Sequence, residues 1–501
     1  MTKDLLMGID MGTSGCRVTL IDTECRFIAD GYTEYITHHA QAGWAEQDPS
    51  DWFPAFKNSL KIALDKSNMN ADQIVALSMD ASAHNVVLLD DKNQPLRNTI
   101  MWTDQRSVKE VEFLTEHHKD EIFNTTYQMP SPTWSLPQLM WINEHEPDAL
   151  ANASRITFIK DYLRYLLTDT WTTDHVEAQG SMLFDNHNRC WSELICRIGN
   201  IPMNLLPPIV KPYDIVGRIT PQASALTGLK EGVPVINGST DTALETYCVG
   251  AISENCCVVK IATAGTVNVV SSKPTPNPRA LTYSHVIDGL WYTCFGTSSA
   301  SESLRWYRDV FCESEKREET QGGESVYQKL DREAQSVAPG SDNLVFHPYL
   351  MGERSPYWDA KLRASFVGAS AHHTRGHFNR SVLEGVAYSI KDNFVRLKND
   401  ENVHEVRIVG GGAKSPLWCE ILSNVLNRKV LKYRNDDSSY GAALLAGVGA
   451  GIFSGHEEAI NKGLELQNTF TPDPSAALLY EKQFITYRKI QSVLAEVYHA
   501  I

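Results

Sequence analysis

The stretch that most limits how this chain can fold is LLMGIDMGTSGCRVTLID, residues 5–22. Leu5 to Ile9 has the apolar continuity of a buried strand, and Asp10 follows it. Gly12, Thr13, Ser14 and Gly15 then turn the chain into a second strand, Val18 to Ile21. Glycines let backbone N–H groups approach an anion, hydroxyls add donors, and a carboxylate at a strand end holds a metal-bound water. The stretch therefore reads as a cradle for phosphate and magnesium, or as a plain β-hairpin whose Gly-Thr-Ser-Gly only supplies turn chemistry.

A partner loop later in the chain favours the cradle. In VPVINGSTDTALETYCVGA an apolar strand, Val233 to Ile236, ends in Asn237-Gly238-Ser239-Thr240-Asp241, and a helix begins at about Thr242. Asp241 reads either as a carboxylate at a crevice-facing strand end or as a helix cap. Soon after, VVKIATAGTVNVVSS repeats the opening pattern of strand, Gly265-Thr266, strand. That is the mark of an internal duplication, in which each half supplies one phosphate loop. A chain of 501 residues also exceeds what one core usually supports. The boundary falls near Val249 to Asn255, giving domains 1–250 and 251–501.

Other polar turns sit between strands. IVALSMDASAHNVVLLDD presents Asp80, Ser82 and His84, and WTDQR brings Asp104. A lone histidine is more often structural than a ligand, so His84 rests on its neighbours. Trp134 is placed to cover one wall of a small-molecule pocket. In VRIVGGGAKSPLWCEIL, Gly410 to Gly412 let a flat ring approach the backbone. Ala413 precedes Lys414 where a P-loop needs glycine, and GVGAG (447–451) lacks the full dinucleotide fingerprint. Both motifs are rejected. A helix capped by Ser50 is expected to bury Phe53, Phe56, Leu60 and Leu64. Residues 441–453 read as a buried helix, 313–323 as a charged exposed loop, and the C-terminus as a long helix with Tyr480, Phe484, Tyr487 and Leu494 on one face.

Lys plus Arg total 46 against 61 Asp plus Glu, a formal charge of −15. Such a surface repels polyanions, so neither nucleic acid nor an anionic membrane is expected as a partner. Ten cysteines, with Cys256 and Cys257 adjacent but no CxxC pair, read as reduced thiols of a cytoplasmic protein. MTKDLL carries Asp4 and no apolar leader, and the most apolar stretch is too short and glycine-rich to span a bilayer.

Taken in order, these motifs make the chain resemble the FGGY family of carbohydrate kinases along essentially its whole length, and within it the xylulokinase branch. GIDMGTSGCR resembles the family's first phosphate motif and NGSTDTA the segment holding its catalytic aspartate. ASFVGASAHHTRGHFNRSVLEGVAYS is similar to its second signature, through Gly368, His377 and Leu383-Glu384-Gly385, and IVGGGAKSPLW to its adenosine motif. The resemblance implies an α/β fold of two ribonuclease-H-like domains, of the actin, hexokinase and Hsp70 ATPase superfamily, with ATP and sugar in an interdomain cleft. It implies transfer of the γ-phosphoryl group of MgATP to a primary hydroxyl of a ketopentose, D-xylulose foremost. Asp241 would be the general base and Asp10 the magnesium-binding catalytic partner. Thr13, Ser14, Arg17, Gly265 and Thr266 would meet phosphate, Gly411, Gly412 and Ala413 the adenine, and Ala83, His84, Asp104 and Asp241 the sugar.

The chain departs from that pattern at Ser82-Ala83-His84, where such pentulokinases usually show Gln-Met-His, and at Gln138, Ala369 and Ser301. The first departure lies in the sugar pocket and leaves ribulose, erythrulose, fuculose, gluconate and glycerol open as substrates. Glycerol is disfavoured by Ala83-His84, where an Arg-Glu pair is usual. A nucleotide-driven binding module of the actin or Hsp70 kind is the alternative from another class. The oligomeric state stays open, a homodimer among the options.

Overall fold

A strand buried along its whole length needs cover on both faces, and Leu5–Met11 (β1) is such a strand, with only Asp10 partly exposed. In the computed structural model, which describes residues 4–398 and 400–501, β1 pairs antiparallel with Gly15–Asp22 (β2). The first three residues of MTKDLL thus lie outside the described residues. β2 pairs with Phe27–Glu34 (β3), and β1 runs parallel to Ile74–Ala81 (β4) on its other side. Ile215–Arg218 (β5) and Pro234–Ile236 (β6) complete the order β5-β6-β4-β1-β2-β3, while Ser239–Thr240 (β7) pairs parallel with β4. The helix Trp52–Ser67 contributes Trp52, Phe56 and Leu60 to the core of this sheet. The sequence places its cap at Ser50; instead Ser50 lies in a short turn and donates its N–H to Asp48 Oδ1 at 2.8 Å.

The other face of β1 is covered from far along the chain. The helix Ser438–Gly449 lies so close that a Cβ on Gly8 would fall 1.7 Å from the carbonyl oxygen of Ser439. Only glycine permits that approach. Accordingly the first of two compact units comprises Met1–Ile252, Thr282–Trp291 and Asn435–Leu464, and the second Ser253–Leu281, Tyr292–Arg434 and Glu465–Ile501. The single boundary expected at residue 250 is therefore crossed again by two later segments. A helix needed to bury β1 is supplied by the second half of the chain.

The second unit repeats the strand pattern. Cys257–Ile261 (β8) pairs antiparallel with Gly265–Ser271 (β9) and parallel with Glu405–Val409 (β11), which runs parallel to Lys429–Tyr433 (β12). Trp291–Thr297 (β10) and Leu466–Phe470 (β13) flank them in the order β10-β9-β8-β11-β12-β13. Hairpin, then two parallel strands, is also the sense of β2-β1-β4-β6, as a duplication requires. The helix Pro474–Ala500 buries Tyr480, Phe484 and Tyr487. Residues 313–323, expected as a loop, instead contain the helix Glu313–Thr320, for their Glu, Lys and Arg are good helix formers and Arg317 pairs with Glu313 at 3.2 Å.

Candidate active site

The carboxyl ends of parallel strands gather polar groups, and in the first unit they gather carboxylates. The register sets Asp10 opposite Asp80 and Asp80 opposite Ser239, so Asp241 leaves the adjoining strand β7 just beyond them. Burial, then the charges of Asp437, Asp241 and Glu245, hold the Asp10 carboxyl well above the usual carboxylate range. Burial and Asp10 do the same to Asp80. Asp10 Oδ1 and both Asp80 oxygens are buried without a hydrogen-bond donor among the described residues. A set of hard oxygen ligands lacking a counter-charge fits a magnesium ion. Asp437 caps the helix Ser438–Gly449; the sequence reading passes over it and treats Asp80 only as part of a polar turn.

The hairpin at residues 12–15 is held from several sides. Gly12 N–H donates to Gly15 O at 3.1 Å, and the Tyr35 hydroxyl donates to Gly12 O. Thr13 O accepts from Gln47 Nε2 at 2.7 Å and Thr13 Oγ1 from Trp102 Nε1 at 3.0 Å, while Ser14 is exposed. Trp102 N–H in turn donates to Asn85 Oδ1 at 2.6 Å, and Ser82 N–H to Met11 O at 3.1 Å. The hairpin and the loop bearing Ala83 and His84 are thus joined. Arg17 is not free: its guanidinium pairs with Asp30 and, at 3.3 Å, with Asp437. To meet a phosphate it would have to leave them.

His84 is buried with φ at 74°. Its N–H donates to Glu177 Oε1 at 2.7 Å, its carbonyl accepts from Ser135 Oγ, and its ring meets Trp134 edge-on at 4.8 Å. Nε2 lies 3.2 Å from the Tyr283 hydroxyl. Burial pushes its pKa down to about 3, so the ring is neutral at physiological pH. Trp134 thus stands against His84, and Ala83 is partly exposed beside it. Tyr283 lay beyond sequence reasoning, because 199 residues separate it from His84. Asp104 departs from its expected role as a sugar ligand. It is 1% exposed, and its oxygens accept from Ala45 N, Arg106 N, Arg106 Nε and Arg106 Nη2. Four bonds fill a carboxylate's acceptor sites, so Asp104 holds the corner around Arg106.

Gly180 leaves room for His84. A Cβ there would lie 1.9 Å from His84 Nδ1, and the ring is penned between Trp134 and Tyr283. If His84 meets a sugar as the resemblance implies, Gly180→Ala should raise the sugar KM at least ~10-fold and leave the ATP KM unchanged, as steady-state kinetics would read. Glu177 gives a second expectation. Burial raises its pKa from an ordinary 4.5 to about 8. A raised folded-state pKa contributes stability below pH 4.5 that is lost as pH rises through about 8. Glu177→Gln should flatten that alkaline decline, by on the order of a few kcal/mol at most, in denaturant midpoints taken at pH 5, 6.5 and 8.

A buried ionic group underlies these loops. Lys160, Asp161, Arg164 and Asp174 are all 0% exposed. Arg164 Nη1 donates to Asn237 Oδ1 at 2.6 Å, and Asp174 Oδ1 accepts from Ser239 Oγ at 3.0 Å, so the turn leading to Asp241 is fixed from behind. The sequence reading assigned no chemistry to this helix.

In the second unit the β8–β9 turn and the glycine loop after β11 adjoin. A Cβ on Gly410, whose φ is 91°, would lie 2.8 Å from Ile261 O, whereas one on Gly411 would meet nothing within 4 Å. Gly412 and Ala413 are buried, and Gly265 packs on Thr297 and Ala300. Thr266 Oγ1 is buried without a hydrogen-bond partner among the described residues. A free hydroxyl and an open glycine face are what a phosphate tail and a flat base require.

Two domain descriptions match this chain: the FGGY family of carbohydrate kinases, N-terminal domain, over residues 5–248, and the C-terminal domain over residues 257–450. A xylulose kinase of Staphylococcus epidermidis is 30% identical over 98% of this chain and 97% of its own length. The crystal structure of a xylulose kinase from Rhodospirillum rubrum superposes with a TM-score of 0.87 at 26% identity, covering 99% of this chain and 100% of that one. That of a gluconate kinase from Lactobacillus acidophilus superposes at 0.91 and 24% identity over 100% of both, a likeness of fold.

Proposed function

The chain belongs to the FGGY family of carbohydrate kinases, and from that premise we propose that it transfers the γ-phosphoryl group of MgATP to a primary hydroxyl of a ketopentose, D-xylulose giving D-xylulose 5-phosphate. Membership makes it a sugar kinase using ATP as phosphate donor, which sets aside the actin-like or Hsp70-like binding module. The observation that carries the reading is the gathering of Asp10, Asp80 and Asp241 at adjoining strand ends. Magnesium held there by Asp10 and Asp80 would neutralise charge on the phosphoryl oxygens. Asp241 would take the proton of the attacking hydroxyl: its hydrogen bonds among the described residues fall on Oδ1, from Thr242 N and Oγ1, leaving Oδ2 for the task. Thr13, Ser14, Gly265 and Thr266 would bind phosphate oxygens, and Gly411, Gly412 and Ala413 would line the adenine. His84 Nε2 with the Tyr283 hydroxyl would meet sugar hydroxyls, with Trp134 as a wall.

A neutral sugar is favoured over gluconate because the groups touching His84, namely Trp134, Tyr283, Glu177 and Ser135, offer no positive charge, and His84 itself stays neutral. Relatives described as xylulose kinases support the ketopentose. Ten free thiols support a cytoplasmic setting. The test is an ADP-release screen across D-xylulose, D-ribulose, L-xylulose, erythrulose, fuculose, gluconate and glycerol, with ATP alone as control. A kcat/KM for gluconate or glycerol above that for every ketopentose would sink the reading.

A further inference from the structure

We propose a second, transition-metal site in the first unit, formed by Glu110, Glu144 and His145 and suited to a zinc-class divalent ion. Their ligand atoms all lie within 4.8 Å of one another. Glu110 comes from the first turn of the helix Val108–Thr126, while Glu144 and His145 end the helix Ser135–His145.

Three features point to an ion rather than to a chance cluster. Glu110 is 5% exposed and its Oε2 is buried without a hydrogen-bond partner among the described residues, which an unsupported carboxylate seldom tolerates. His145 Nδ1 lies 3.0 Å from the carbonyl oxygen of Trp141; a carbonyl only accepts, so Nδ1 carries a proton, and in the neutral tautomer the lone pair is on Nε2. The indole of Trp141 stacks on the imidazole at 4.6 Å with 8° between planes, which fixes the ring's direction. A protonated Nδ1 bound to a backbone carbonyl is the usual outer support of a metal-ligating histidine. Two carboxylates and a neutral imidazole balance a divalent charge, and ligands on one zinc ion sit closer together, about 3–3.5 Å apart for bonds of ~2.1 Å, so the exposed Glu144 and His145 side chains need move by only about an ångström.

The cluster of Asp342, His372 and His373 shows the contrast. There His373 Nδ1 accepts from Ser370 N–H at 3.0 Å, so a neutral ring bears its proton on Nε2 and has no lone pair left for an ion.

Bound metal would tie the two helices together next to Arg106, whose guanidinium lies 4.9 Å from the centre of the Trp141 ring. Its role is bracing, not chemistry. Isothermal titration of the tag-free enzyme with Zn2+ in saturating Mg2+ should give one equivalent, and Co2+ a visible absorption band. His145→Gln should abolish both, Glu144→Gln should weaken binding at least ~10-fold, and Asp10→Asn should leave them intact. Zinc should raise the melting midpoint of wild type by about 3 °C and not that of His145→Gln. No zinc equivalent in wild type, one that survives both His145→Gln and Glu144→Gln, or one lost in Asp10→Asn would overturn the proposal.

Discussion

Asp241→Asn is expected to lower sugar phosphorylation by at least ~100-fold while ATP binding stays within about twofold of wild type. Asparagine retains the oxygen that accepts from Thr242 N at 2.7 Å, so the start of the helix Asp241–Cys248 should stand. What it loses is the acceptor proposed for the hydroxyl proton. General-base catalysis supplies about 10²- to 10⁴-fold, and because phosphoryl transfer has a loose transition state the lower part of that range is expected. A coupled ADP assay with sugar present, set beside calorimetric binding of ATP, reads both halves of the expectation. Turnover like wild type in Asp241→Asn would take the base role away from this residue. A parallel loss of ATP affinity would say that the substitution had disturbed the carboxylate cluster instead.

The parts of the candidate site legible in the sequence are those written contiguously. Asp10 with Gly12 to Gly15, and Asn237 to Asp241, each combine strand, turn and carboxylate within a few residues, so local chemistry announces them. The duplication was equally plain, since β1-β2 and β8-β9 are both apolar strands joined by Gly and Thr. What local patterns do not carry is pairing across the chain. Asp80 gains its meaning from lying opposite Asp10, which is a matter of parallel register. Asp437 and Tyr283 reach the first unit from segments beyond residue 250, and the glycine that admits the helix Ser438–Gly449, Gly8, looks like any other until that helix is laid on it. Asp104 is the converse case: an acid in a polar turn resembles a ligand, yet its own near neighbour Arg106 occupies it. Lys160, Asp161 and Arg164 sit in a helix to which the sequence assigns no chemistry; all three are buried, and Lys160 and Arg164 find partners across the chain in Asp174 and Asn237.

Asp10→Asn should move stability and activity in opposite directions. With magnesium withheld, the Asp10 carboxyl, one oxygen of which is buried, stands beside the fully buried Asp80, each raised in pKa by desolvation and by acidic neighbours. Near neutral pH such a pair costs stability whether it ionises against its neighbour or binds a proton to avoid doing so. An amide at position 10 removes one charge and offers N–H donors to the Asp80 carboxylate that the register sets opposite it. The variant should therefore melt higher than wild type in EDTA, by several degrees. Added Mg2+ should then raise the midpoint of wild type and leave that of Asp10→Asn nearly unmoved, because the cation would lose a charged ligand. Phosphorylation should fall at least ~1,000-fold, since neutralising charge on transferring phosphoryl oxygens is worth several kcal/mol. A site assembled for a divalent cation stores repulsion that the cation relieves, and stability and activity then trade against one another. Were Asp10→Asn to melt lower than wild type in EDTA while Mg2+ still raised its midpoint, the carboxylate at position 10 would be a structural group and the cation would have to be held elsewhere.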